Sequence, residues 1–113
     1  MERPQTQHAR IRATVKRIGV LAGFLEGEGS FDRSGGSSRI SAHQVNREPI
    51  DWLLDLFGGA AKRYHPKQSA THKSQPSPVW NWYVSGSRAR GVMMTIYSLM
   101  SAKRKEQIRR ALV

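Results

Sequence analysis

Glu28 is a carboxylate set between Gly27 and Gly29, with Glu26 two residues before it. Glycines on both sides let a backbone turn out of a helix and leave the acid at its end. The rest of the chain gives that placement a chemical meaning. The 113 residues hold 19 Lys and Arg against 8 Asp and Glu, a formal charge of +11. The acids are Glu2, Glu26, Glu28, Asp32, Glu48, Asp51, Asp55 and Glu106. None falls in 56–105, which carries Lys62, Arg63, Lys67, Lys73, Arg88, Arg90, Lys103, Arg104 and Lys105. A balance of this size points to a polyanionic partner, nucleic acid first. The plainer reading is a generically basic surface. An acid beside phosphates is repulsive unless a divalent cation lies between them. Mg²⁺ is commonly held by one or two carboxylates plus substrate phosphates, the arrangement that metal-assisted phosphodiester hydrolysis uses. The plainer reading of Glu26 and Glu28 is a pair of solvated acids at a helix end.

Composition narrows the alternatives. Cysteine is absent, so no disulfide framework, thiolate zinc site or cysteine nucleophile is available. No apolar run approaches the ~20 residues of a membrane span, and no signal-peptide core is visible at the N-terminus. The expectation is an intracellular, reducing compartment and no membrane partner. His8, His43, His65 and His72 lack zinc-type spacing and read as surface or strand residues.

The elements that must position Glu28 follow from the pattern. Residues 1–12 read as a flexible basic arm and 13–113 as one domain. Thr14 is a plausible cap for a helix through Glu26 that carries Ile18, Val20, Leu21, Phe24 and Leu25. Within it Ala22, Gly23 and Gly27 form a small-residue stripe that would let a second helix approach closely. Gly27 and Gly29 stop this helix. Strands at 30–34 and 39–45 flank a Gly35-Gly36 turn, a hairpin signal. Asn46 can cap a helix with Ile50, Leu53, Leu54 and Phe57 on one face, ended by Gly58-Gly59. Strands follow at 60–65 and 79–84, separated by a polar 66–78 loop. Ser87 starts a helix that turns Val92, Ile96, Leu99 and Met100 inward, and Ser101 caps a last one with Ile108 and Leu112 inward. The order is α-β-β-α-β-β-α-α. Period-2 alternation puts Phe31, Ile40, Ala42, Trp80, Trp82 and Val84 toward the helices. Ser30, Asp32, Ser34, Arg39, Ser41, Asn81 and Tyr83 then face outward, where side chains can read base edges. For the third strand either Arg63 with His65 or Lys62 with Tyr64 faces out.

The stretch Leu21-Ala22-Gly23-Phe24-Leu25-Glu26-Gly27-Glu28-Gly29, followed by Ser30-Phe31, resembles the LAGLIDADG motif of homing endonucleases. Gln44-Val45-Asn46-Arg47-Glu48, Phe57-Gly58-Gly59, Trp82-Tyr83-Val84-Ser85-Gly86 and Lys103-Arg104-Lys105 with Gln107 resemble further segments of that family. The resemblance implies an α+β, αββαββα domain with a saddle-shaped antiparallel sheet backed by helices and riding on duplex DNA. It implies a site-specific endonuclease that hydrolyses phosphodiesters with Mg²⁺ or Mn²⁺. A single motif copy implies a homodimer and a roughly palindromic target.

Carried over residue by residue, Glu28 matches the metal-ligating acid, where Asp is commoner, and the Gly29 position can lend a backbone carbonyl. Gln44 matches the residue that orders solvent near the attacked phosphate, with base reading or capping as its alternative. Lys103 matches the basic residue that stabilises developing phosphorane charge, with phosphate clamping as its alternative; Arg104 and Lys105 fit the clamping role. Glu26 is assigned to the helix ends or the dimer interface, together with Leu21, Ala22 and Gly23. The runner-up function is a LAGLIDADG-fold protein that binds RNA or DNA without cutting.

Overall fold

The computed structural model describes residues 7–64 and 78–113. The elements are α1 (Gln7–Glu28), β1 (Gly29–Ser34), β2 (Ser37–Gln44), α2 (Arg47–Phe57), β3 (Ala60–Tyr64), β4 (Val79–Ser85), α3 (Gly86–Ile96), a 3₁₀ turn (Tyr97–Leu99) and α4 (Ala102–Leu112). The four strands form one antiparallel sheet in the order β1-β2-β4-β3. The fold is therefore α+β, with a four-stranded antiparallel sheet and four helices.

Gly35 and Gly36 close the β1–β2 hairpin with φ of 60° and 83°. Positive φ at both centres of a two-residue loop matches strand twist, and only glycine adopts it freely. That turn fixes the register Phe31↔Ile40, which β4 extends with Ile40↔Val84. Phe31, Ile40, Ala42, Trp82 and Val84 all lie buried on the helix side. They meet Leu21, Leu25, Ile50, Leu53, Met93, Ile96 and Ile108 in one core. Trp82 is fully buried and still satisfies its indole, which donates to the Gly58 carbonyl at 2.8 Å. Trp80 is only half-buried; Arg47 stacks 3.9 Å from its ring centroid.

Four sequence expectations need correcting. α1 begins at Gln7, so residues 7–12 are helical and Thr14 lies inside the helix. Gln7, Ala9, Arg10, Arg12 and Ala13 are good helix formers, and the propensity of this apolar-poor stretch outweighs its lack of apolar periodicity. Gly27 does not stop α1, which runs on to Glu28. Leu99 is 56% exposed. The α-helix ends at Ile96 and a 3₁₀ turn follows over Tyr97–Leu99, so the helical spacing that placed Leu99 inward stops short of it. Asn46 precedes α2 but makes no side-chain cap bond. Ser101 does cap α4, accepting from the Arg104 amide at 3.3 Å. The 66–78 loop, apart from Pro78, lies outside the described residues.

Candidate nucleic-acid interface and its acid

Strand pairing sorts the sheet's two faces. Directly paired residues share a face, so Asp32, Arg39 and Ser85 form one outward row. Ser30, Ser41, Tyr83 and Ala60 form the next, and His43, Asn81 and Lys62 the third. Ser34 ends β1 on the same face beside the turn. This settles the third strand: Lys62 and Tyr64 face outward, while Arg63 pairs with Trp80 on the helix side. Arg63 sits 6.0 Å from the Trp80 ring centroid, so the expected outward role for it is corrected. His65 lies outside the described residues. His43, which the sequence placed no more closely than on the surface or a strand, also stands on this face. Two-residue alternation from Ser41 was the signal for it.

Asp32 is the acid of this face, and it holds Arg39. The guanidinium Nε and one Nη each donate to a different carboxylate oxygen at 3.2 Å. A fork of this kind fixes the plane of the guanidinium and leaves the other Nη free to read a base or a phosphate.

Glu28 is the last residue of α1 and is exposed. Among the described residues it makes no hydrogen bond or ion pair. Most other described acids have a structural role. Asp32 pairs with Arg39, Asp51 with Arg47, Asp55 with Arg17 and Glu106 with Arg109 and Arg110. Glu48 sits in the first turn of α2, where the helix dipole favours a negative charge. Glu28 sits at the opposite, disfavoured pole of its helix, and the last turn of α1 has no basic residue. Gly29 opens β1, where an added Cβ would stand 2.7 Å from the Leu25 carbonyl. The chain there passes from helix to strand too tightly for any side chain.

Glu26 behaves differently from its neighbour. Its carboxylate accepts from the Ser101 backbone N–H and, at 3.0 Å, from the Ser101 hydroxyl. The Ser101 amide, then its hydroxyl and Arg104, hold the Glu26 carboxyl below the usual carboxylate range. Arg104 donates through Nε to the Glu26 carbonyl at 2.9 Å and through Nη1 to Gln107 at 2.8 Å. Arg104 is thus a strut between α1 and α4. Lys105 lies 5.6 Å from the Tyr97 ring centroid.

This strut carries Lys103 to the end of α1. Lys103 is exposed in the first turn of α4 and free of hydrogen bonds and ion pairs among the described residues. Gln44 ends β2, two residues past the Ala42 that pairs with Gly29. Glu28, Gln44 and Lys103 therefore gather at one end of the sheet, though no hydrogen bond joins them. The Gln44 carbonyl accepts from the Val45 and Asn46 amides at 2.8 and 3.4 Å. That acceptor is spent on the turn, so only the amide NH₂ remains to act outward. No group of three or more metal-ligating side chains occurs among the described residues. A lone carboxylate suits a hydrated Mg²⁺ shared with phosphates rather than a protein cage.

The expected dimer residues divide. Leu21 and Ala22 are buried in their own core, so these two are corrected; Glu26 binds the start of α4, which fits the helix-end alternative given for it. Gly23 is exposed, with open space where a Cβ would stand, and so are Gly19 and Gly27. These three glycines, four residues apart, make the bare stripe of α1; Gly19 was missed although its spacing was visible.

Comparison with protein-family models, curated proteins and solved structures returned no match. No helix among the described residues is long and apolar enough to cross a membrane.

Proposed function

We propose that this protein is a site-specific double-strand DNA endonuclease that works as a homodimer with Mg²⁺ or Mn²⁺. In this reading the α+β arrangement is the LAGLIDADG one. The observation that carries it is Glu28: an exposed acid without a partner among the described residues, at the unfavourable pole of its helix and at the end of the sheet of a strongly basic chain. A surface selected only to bind phosphates gains by losing such a charge.

Each part of the site then has a task. The outward rows lie along the major groove, with Arg39 aimed by Asp32 and Lys62 set against the backbone. Glu28 and the Gly29 carbonyl would hold the divalent ion. The ion, when bound, supplies an activated water and neutralises charge on the phosphate oxygens. Lys103 stands at the same end of the sheet to stabilise charge developing on the phosphorane. The Gln44 NH₂ can donate to a phosphate oxygen or to the attacking water. Two copies meeting along Gly19, Gly23 and Gly27 bring two such ends together, one for each strand.

The test is direct. Incubation with a pool of randomised duplex DNA and Mg²⁺, followed by sequencing of the cut ends, should return one near-palindromic site cut on both strands. Tight binding to one sequence without cutting in Mg²⁺ or Mn²⁺ would establish the non-cleaving binding protein instead.

A further inference from the structure

The outward face holds a polar group that the cleavage chemistry does not use. Asn81 stands in the middle of its row, between His43 of β2 and Lys62 of β3. Its side-chain carbonyl Oδ1 is closed off from solvent and has no hydrogen-bond partner among the described residues. Among the described residues its amide nitrogen has none either. Buried acceptors are nearly always satisfied, so an orphan of this kind asks for a donor from elsewhere.

Two aromatic rings meet on the outward face beside Asn81. His43 and Tyr64 belong to strands on opposite sides of β4, about 9.6 Å apart by two strand spacings. Their rings nevertheless meet edge to face, with centroids 6.1 Å apart and planes at 89°. They therefore close across β4 beside Asn81, and neither ring supplies the missing donor.

We infer that Asn81 is a specificity-determining residue covered in the free protein by His43 and Tyr64, and that the base it takes is adenine. The inference rests on the DNA reading above. In the major groove adenine presents a donor at N6 and an acceptor at N7, the complement of a side-chain amide. Guanine and thymine offer acceptors and leave Oδ1 orphaned. Cytosine offers a donor and leaves the amide nitrogen unmatched. Adenine alone satisfies both ends. Docking parts the two rings, and the bonds to the base replace the protection they gave.

The experiment measures binding in Ca²⁺ on the site that wild-type protein selects from randomised duplex. Each adenine of a half-site is replaced in turn by purine, which lacks the exocyclic amine, and by 7-deazaadenine, which lacks N7. At one adenine per half-site both replacements should weaken wild-type binding about 10- to 100-fold. The same replacements should change nothing further for Asn81→Ala. A selected site in which no adenine shows both losses would overturn the role of Asn81 and leave the DNA reading standing. So would an adenine at which Asn81→Ala stays as sensitive as wild type. Failure of wild-type protein to select any sequence would overturn the DNA reading and this one with it. Tyr64→Ala and His43→Ala should each speed association several-fold, because the cover no longer has to part; unchanged rates would overturn the cover. The base replacements on wild-type protein need no variant to fold.

Discussion

Two glutamates two residues apart face opposite demands, and substitution separates them. Glu28 makes no hydrogen bond or ion pair among the described residues, so Glu28→Gln should leave the fold intact and relieve an unfavourable charge at the end of α1. Strand cleavage should fall to background, because the divalent ion loses its anchor. Metal-free DNA binding should hold or tighten. Nicking and gel-shift assays on one cognate duplex check this, and cleavage at the wild-type rate would remove Glu28 from the site. Glu26→Gln should instead act on stability. The Glu26 carboxyl titrates below its ordinary range because the Ser101 amide and hydroxyl and Arg104 bind its anion. A group lowered in the folded state stabilises above its unfolded pKa, and that stability is lost as pH falls through the folded one. The melting midpoints of wild type and Glu26→Gln should therefore differ at neutral pH and converge in acid. A gap between them that is the same at every pH would contradict the tie to Ser101. Local pattern alone leaves the pair as two helix-end acids, and only the motif resemblance gave them different roles. What tells them apart is the start of α4, 75 residues away in sequence, where Ser101 meets Glu26. No local pattern encodes that meeting.

At the scale of elements, α1 shows what sequence periodicity resolves and where it stops. Leu21 and Leu25 were legible as core, and Ala22, Gly23 and Gly27 as a small-residue stripe. The phase between them was not. Ala22 belongs to the core and Gly19, Gly23 and Gly27 to the open side, because composition says that a helix is apolar nearly all round but not which side its own sheet covers. The strands were easier. A two-residue Gly-Gly turn fixes one register, and alternation then assigns every outward residue of the hairpin and β4. Only the short β3 needed its pairing with β4 to be seen before Lys62 and Arg63 could be told apart. The phase of α1 carries a prediction. Gly23→Leu puts a side chain into open space in one chain, and removing a helix-interior glycine should stabilise that chain by up to about 1 kcal/mol. In the dimer the same side chain overpacks the seam, at a cost of roughly 1–3 kcal/mol. Ala22→Leu should reverse the pattern, lowering the melting point of the single chain through its own core. Sedimentation and thermal melts of both variants check this. A wild-type protein that stays monomeric at micromolar concentration, with and without DNA, would remove the seam.

For the whole molecule the net charge of +11 sets how binding responds to salt, but it does not say which cations meet phosphates. Those that the fold has already used contribute little. Arg104 is bonded to Glu26 and Gln107. Arg33 and Arg90 donate to the carbonyls of Ala111 and Leu112, closing the end of α4 against the hairpin. Arg17, Arg47, Arg109 and Arg110 are paired with acids. Lys62, by contrast, is exposed on the outward face with no ion pair or hydrogen bond among the described residues. Each phosphate that a protein neutralises adds about −0.9 to the slope of log K against log salt. Lys62→Ala in a dimer removes two such contacts, so the slope should become shallower by about 1.8. Arg104→Ala should leave the slope of the folded protein unchanged and lower its melting point, since what it loses is the strut between α1 and α4. Titrations of both variants from low to moderate salt, each read with a thermal melt, separate the two outcomes. If Arg104→Ala flattens the slope and Lys62→Ala does not, the duplex lies along the start of α4 rather than across the sheet. The outward rows would then lose their role as the DNA face.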